Sequence, residues 1–351
     1  MNKKIAVLPG DGIGPEVTTV AVNVLQKVAE KFNHQFTFEE GLVGACAIDA
    51  TGNPFPEATW QLCQSADAIL FGAIGHPKYD NDPTATVRPE QGLLAMRKAL
   101  GLFANIRPVN TFKTLADASP LKREIVEDVD FVVFRELTGG SYFGAKGRSD
   151  DRNSAYDTCT YTKEEILRIT KLAFEAAGKR RKKVTLVDKA NVMETSRLWR
   201  EVVQQYAGDF PEIELELMFV DNAAMALIQN PRRFDVILTE NMFGDILTDE
   251  ASVITGSLGM LPSASVGSQV ALYEPIHGSY PQAAGKNIAN PMAAVLSAAT
   301  LLETSFNLME EGKAIRNAVE EALEKGFVTV DINPSNNLGT REVGEKICSL
   351  I

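Results

Sequence analysis

Asp245 and Asp249 stand four residues apart in Asn241-Met242-Phe243-Gly244-Asp245-Ile246-Leu247-Thr248-Asp249, shortly after the apolar run Val236–Leu238. On a helix that spacing puts both carboxylates on one face, with Cβ atoms about 6 Å apart. Such a pair is half of a site for a hard divalent cation, Mg2+ or Mn2+, which takes oxygen ligands and leaves positions for water or substrate. The alternative is a solvated acidic face or a helix N-terminal aspartate. Asp221, after Leu215–Val220, is a candidate third carboxylate, because open α/β sheets place ligands beyond the C-terminal ends of strands. Lys189 follows a strand-like run too, in Val187-Asp188-Lys189-Ala190-Asn191. Near a cation its ammonium loses a proton more readily and suits a base acting on a hydroxyl; a surface lysine paired with Asp188 is the plainer reading.

Three arginines stand in unusual settings: Arg97 in the predicted helix Gly92–Leu100, Arg107 before Pro108, and Arg135 directly after Phe131–Phe134. An arginine capping a buried strand needs a fixed anionic partner, from the protein or from a ligand. Together with a cation, three of them suit a substrate with two or more carboxylates. After Arg135 comes Glu136-Leu137-Thr138-Gly139-Gly140-Ser141-Tyr142-Phe143-Gly144, in which the glycines let backbone approach a ligand. Tyr142 either offers a phenolic proton or packs its ring. Glu274-Pro275-Ile276-His277-Gly278-Ser279, followed by Ala284-Gly285-Lys286-Asn287-Ile288-Ala289-Asn290-Pro291, is a polar loop entering a helix. It could wrap an adenosine moiety, with His277 against the base and Asn290 at its edge, or hold a satisfied structural histidine. Gly10-Asp11-Gly12-Ile13-Gly14-Pro15-Glu16 invites a dinucleotide fingerprint but has Pro15 where the third glycine belongs. A tight strand-to-helix turn with proline in the first helical turn fits it better.

These residues sit where short β-rich runs give way to amphipathic stretches: Ile5–Gly10 then Pro15–Phe32, Ala68–Ala73, Phe131–Phe134, Val184–Val187 then Val192–Tyr206, Leu215–Val220, and Val236–Leu238. The alternation predicts an α/β protein with a largely parallel sheet. Thr162–Gly178 reads as a helix with Thr162 as N-cap, Glu165 three residues on, and a stop at Gly178. The basic run Lys179–Lys183 after it reads as cations meeting a helix dipole, or as a nucleic-acid patch. His76–Gln91 and Gly139–Tyr161, the second with its polar segment Lys146–Asp157, are long enough to be binding loops or arms.

A chain of 351 residues divides into more than one core. Its 35 basic and 46 acidic side chains give a formal charge of −11, which repels phosphate backbones and argues against nucleic acid as a partner. Four cysteines without a CxxC pair imply a reducing compartment, and no stretch is long and apolar enough for a signal core or a bilayer span. A cytoplasmic protein is expected, with no membrane partner. A phosphotransferase would need a GxxxxGK[ST] loop, which the sequence lacks.

Taken together, these segments resemble the β-decarboxylating dehydrogenases of 2-hydroxy acids. The resemblance runs from Gly10–Glu16 to Gly339-Thr340, and its most specific piece is NMFGDILTDEASVITGSLGMLPSAS. It implies a two-domain fold with a large mixed, mostly parallel sheet that is not of Rossmann order. One domain, on the cofactor side, would comprise residues 1–102 plus 256–351, and the other, residues 103–255, would carry the arm and a homodimer interface. NAD would be held by the loops around Gly75–Glu90 and His277–Asn290, including Glu274, Gly278, Ser279, Gln282, Ala284, Gly285 and Lys286. Arg97, Arg107 and Arg135 would bind the substrate carboxylates. Asp221, Asp245 and Asp249 would hold Mg2+ or Mn2+, with Lys189 as base, Tyr142 as proton donor, and Lys189 and Asp221 reaching the site from the partner subunit.

Leu93 and Leu94, one turn before Arg97, offer apolar surface suited to an isopropyl group and hostile to a further carboxylate. The implied reaction is therefore oxidative decarboxylation of 3-isopropylmalate, in leucine biosynthesis, ahead of isocitrate, homoisocitrate or tartrate. Simultaneous retention of Lys189, Tyr142, Asp221, Asp245 and Asp249 argues against a non-catalytic relic of the fold. One departure is Gln282-Ala283, where NAD-using relatives commonly carry Asp; the Lys–Tyr pair of NADP-dependent isocitrate enzymes is also absent there, so NAD remains the expectation.

Overall fold

The computed structural model describes residues 1–81 and 85–351, so residues 82–84 of the expected loop His76–Gln91 lie outside the described residues. Its strands are β1 (Asn2–Gly10), β2 (Gln35–Glu40), β3 (Ala68–Ala73), β4 (Ala104–Asn110), β5 (Asp130–Glu136), β6 (Lys146–Arg148), β7 (Ala155–Asp157), β8 (Lys183–Asp188), β9 (Glu214–Phe219), β10 (Val236–Thr239), β11 (Pro262–Val266) and β12 (Ala271–Pro275). The chain divides into two compact units, Met1–Leu102 with Ser257–Ile351, and Phe103–Gly256.

In the first unit the strands lie in the order β2-β1-β3-β12-β11, parallel except for β11 with β12. In the second the order is β4-β5-β10-β8-β9, parallel except for β4 with β5. The architecture is thus α/β with mixed, mostly parallel strands, and neither order is that of a Rossmann sheet. Strands covered on both faces read as unbroken apolar runs: every residue of β3 and of β10 is buried. In β5 and β10 the twofold alternation of side chains feeds two cores. Val132, Phe134, Val236 and Leu238 join Ile166, Phe174 and Trp199 on one face, while Phe131, Val133 and Ile237 join Leu247 and Ile254 on the other.

The first unit's core gathers Leu8, Ile69, Phe71, Met96 and Leu272. Helix Met292–Ser305 is buried nearly all round, as its Ala- and Leu-rich sequence requires. Among the described residues no helix is long and apolar enough to cross a membrane.

Helix Lys163–Gly178 starts as expected: Thr162 Oγ1 accepts from the Glu165 amide at 3.2 Å, and the Glu165 carboxylate accepts from the Thr162 amide at 2.8 Å. The basic run after it begins at the helix C-cap, Lys179, and goes on to make ion pairs. Arg180 pairs with Asp130 and Asp235 at 2.8 Å each, and Lys183 opens β8 beside Glu214 and Glu216. The polar segment expected as irregular contains an exposed antiparallel hairpin, β6 with β7.

Candidate functional site

In the second unit, strand register explains why residues distant in sequence meet. Thr239 of β10 lies beside Arg135 of β5, so helix Asn241–Ile254 begins against that arginine. Asn241 Oδ1 accepts from Arg135 Nε and Nη2 at 3.1 and 2.8 Å, and Arg135 Nη1 pairs with Asp245. A Cβ on Gly244 would stand 2.6 Å from Arg135 Cγ, so only glycine lets the arginine stem lie against the helix. Tyr142 donates to the other Asp245 oxygen at 2.7 Å. Burial, followed by that carboxylate, pushes the phenol up to about 12. One turn along, Arg107 donates to Thr248 Oγ1 at 2.6 Å and to Asp249 at 3.3 Å, while its Nε holds Asn105 at 2.6 Å. The Asp249 side chain is nonetheless 72% exposed.

The same logic joins Lys189 to Asp221. Asp188 and Phe219 are in register on parallel β8 and β9, so the residues just beyond both strands are neighbours. The Lys189 ammonium pairs with Asp221 and holds its carboxyl below the ordinary range. Asp188, the sequence neighbour considered for Lys189, is taken by Arg200 at 2.6 and 3.0 Å. Among the described residues, no three His, Cys, Asp or Glu side chains of one chain gather to hold a metal. Among the described residues, Asp245 and Asp249 therefore have no third carboxylate from their own chain.

In the first unit, two carboxylates and a glycine turn organise backbone. Gly12 has φ +60°, and a Cβ there would lie 1.9 Å from the Ser279 carbonyl, to which the Ile13 amide donates at 2.8 Å. The buried Asp11 accepts from the amides of Ala45, Cys46 and Gly75 at 2.8, 2.9 and 3.0 Å. Glu16 accepts from the Gly285 amide and, at 3.2 Å, from that of Asn287. A Cβ on Gly75 would meet Glu90 Oε1 at 3.3 Å and Ser279 Oγ at 3.4 Å, so these three expected cofactor residues converge.

Gln282, Ala284, Gly285 and Lys286 are exposed beside them, as is Gly278, around which a Cβ would meet nothing. His277 Nε2 is buried without a partner, and burial lowers the ring's pKa. Asn290 is spent internally: its oxygen accepts from the Met292 amide at 3.0 Å and its nitrogen donates to Asp331 at 3.1 Å. Glu274 faces Arg97 at 3.4 Å, leaving Arg97 Nε buried and unpartnered. Leu93 packs against the unit's core, whereas Leu94 is half-buried and outside that cluster.

Sequence reasoning missed Asn241, Asn105 and Thr248 as partners of the arginines, and Asp11 and Glu16 as clamps on backbone. Asn241 and Thr248 lay in plain view, in the same run as the paired aspartates. Gly139 and Gly140, read as giving access to a ligand, turn out to pass over Tyr161, whose ring and hydroxyl a Cβ would meet at 2.6 and 2.3 Å.

The chain matches the family model described as isocitrate/isopropylmalate dehydrogenase over residues 4–347. It is 57% identical to a 3-isopropylmalate dehydrogenase of Bacteroides fragilis over 353 aligned positions, covering 100% of this chain and 99% of that one. A 3-isopropylmalate dehydrogenase of Bacillus subtilis is 55% identical, with 100% and 98% covered. Among solved structures, an isocitrate dehydrogenase from Methylococcus capsulatus superposes with TM-score 0.90 at 33% identity, covering 99% of both chains. A β-decarboxylating dehydrogenase from Thermococcus kodakarensis gives 0.82 at 35%, covering 99% of this chain and 96% of that one.

Proposed function

This chain belongs to the isocitrate/isopropylmalate dehydrogenase family, and we propose that it oxidatively decarboxylates 3-isopropylmalate to 4-methyl-2-oxopentanoate, reducing NAD with the help of Mg2+ or Mn2+, as a step of leucine biosynthesis. The observation that carries the chemistry is Asp245, which meets Arg135 and Tyr142 at once while staying one helical turn from Asp249.

The donor set fits a hard cation: Asp245 and Asp249 offer only oxygen, and Asp249 is largely exposed. Mg2+ or Mn2+ held by Asp245, Asp249 and the Asp221 of a second copy would supply Lewis-acid polarisation at the substrate's C2 oxygen. NAD, bound beside Gly75, Glu90 and Ser279 and the loop from His277 to Asn290, would accept the hydride from C2. Arg107 and Arg135, with Arg97, bind the carboxylates. Lys189 takes the hydroxyl proton as the hydride leaves. After CO2 departs from C3, the phenol of Tyr142, held at Asp245, returns a proton to that carbon.

A second copy has a surface to dock on. Met225 and Ile228 follow Asp221 at four and seven residues on helix Val220–Gln229, and Met242, Ile246 and Val253 line helix Asn241–Ile254 beside Asp245 and Asp249. All five are exposed, Ile246 at 61%. Apolar stripes interleaved with the aspartates would bring Asp221 and Lys189 of one copy to Asp245 and Asp249 of the other. Nothing in the chain suggests nucleic acid or a membrane as partner.

Leu94 supplies apolar surface for the isopropyl group and no donor for another carboxylate. Purified enzyme should turn over 3-isopropylmalate with NAD at a higher kcat/KM than isocitrate, tartrate or malate, and NADP should serve less well; faster isocitrate turnover would overturn the substrate. Inactive Lys189→Ala and Arg135→Ala chains should regain partial activity when refolded together, and no recovery would overturn the shared site.

A further inference from the structure

Asn241 holds two things at once. Its amide oxygen takes two N–H groups of Arg135, and its amide nitrogen donates to the Gly139 carbonyl at 3.1 Å, on the turn that carries Tyr142. What fixes Asn241 is beneath it. The Tyr161 hydroxyl accepts from the Asn241 backbone amide at 3.0 Å and donates to Glu240 Oε2 at 3.0 Å, while Glu240 Oε1 caps the helix through the Phe243 amide at 2.7 Å. Tyr161 and Glu240 are both buried, and Trp199 meets the Tyr161 ring edge-on at 5.5 Å. Gly139 and Gly140 run across that ring with no room for a Cβ, and the Gly140 amide donates to the Thr160 carbonyl at 3.1 Å.

We propose that Tyr161 is a positioning residue for the reaction: its hydroxyl, shared between Glu240 and the Asn241 amide, holds Asn241 in the orientation that aims both Arg135 and the Tyr142 turn at Asp245. Tyr161 makes none of these contacts to Asp245 itself. Its hydroxyl holds the start of helix Asn241–Ile254 while its ring lies under Gly139 and Gly140, so removing the hydroxyl leaves two buried partners unsatisfied without emptying space in the core. The inference rests on the reading of Tyr142 as the proton donor.

Coupling tests it. Steady-state kinetics with 3-isopropylmalate and NAD would be measured for wild type, Tyr161→Phe, Tyr142→Phe and the double variant, with Trp199→Phe as a packing control on the same ring. Loss of the hydroxyl should lower kcat roughly tenfold, since displacement of about an ångström at a reacting group is costly. The KM for NAD should stay unchanged. The double variant should be slower than Tyr142→Phe by clearly less than the full effect of Tyr161→Phe, the non-additivity expected of residues acting through one another. Trp199→Phe should lower the melting temperature and leave kcat alone.

A double variant slower than Tyr142→Phe by the full effect of Tyr161→Phe would overturn the proposal. So would a Tyr161→Phe enzyme that merely melts earlier, as Trp199→Phe does. Should Tyr161→Phe not fold, Asn241→Ala breaks the same chain one link later and must show the same non-additivity with Tyr142→Phe. A fully active Tyr142→Phe enzyme would overturn the role of Tyr142 and this inference with it. A slow Tyr142→Phe beside a normal Tyr161→Phe would overturn this inference alone.

Discussion

Two sets of carboxylates, one in each unit, are used in opposite ways. In the first, Asp11 and Glu16 are spent on backbone amides, five in all, and so fix the course of loops from Ala45 to Asn287. In the second, Asp221, Asp245 and Asp249 meet cationic or phenolic side chains while remaining partly or largely exposed. A carboxylate surrounded by amides is a structural part with little capacity left over. One held by side chains alone keeps lone pairs for another cation. The contrast separates carboxylates fixed for shape from carboxylates that keep capacity to spare.

Substitutions can break that contrast. The largest effect expected is from Asp245→Asn, which removes the charge shared by Arg135 and Tyr142 and should lower kcat by about 10²–10³-fold, as loss of a preorganised electrostatic group does. Arg135→Lys comes next. It keeps the charge but loses the planar fork that spans Asn241 and Asp245, and should raise the KM for 3-isopropylmalate about tenfold with little change in melting temperature. Asp11→Asn should do the reverse, costing about 1–3 kcal/mol in urea denaturation because buried amides lose acceptors, with kcat nearly unchanged. If Asp11→Asn were as slow as Asp245→Asn, the distinction between the units would collapse.

The smallest effect concerns pH. His277 has a folded pKa held below its ordinary value of about 6.5 by burial. The unfolded chain therefore takes up a proton that the folded chain refuses. Stability from this site is complete above pH 6.5 and is lost as pH falls through that value toward the folded pKa. Urea midpoints between pH 5 and 7 should fall less steeply in His277→Gln than in wild type.

Much of the fold was legible because its strands are covered on both faces and so stand out as apolar runs. Ala68–Ala73 has the same bounds in sequence and structure, and the capping box at Thr162 marked its helix. The hairpin β6–β7 was not legible: it has three residues a side, with no apolar alternation to betray it. The site was legible as residue types but not as partnerships. Lys189 was weighed against Asp188, its neighbour in sequence, whereas parallel register on β8 and β9 delivers Asp221. The basic run after Gly178 looked like helix-end chemistry because its true partners, Asp130 and Asp235, lie 50 or more residues away in sequence. Which acid meets which base is a property of strand order, and strand order is set by tertiary packing rather than local pattern.

That strand order also has a consequence for synthesis on the ribosome. β3 lies between β1 and β12, and the turn at Gly12 packs against Ser279, so the first unit cannot complete its sheet until β12 exists. The roughly 200 residues separating β3 from β12 take about 10–40 s to make. The second unit, continuous from Phe103 to Gly256, is finished during that wait. The nascent chain should therefore pass through a state in which the arginine–aspartate unit is already folded while the buried strand β3 still waits for its neighbour, and it is then that a chaperone would find apolar surface to hold.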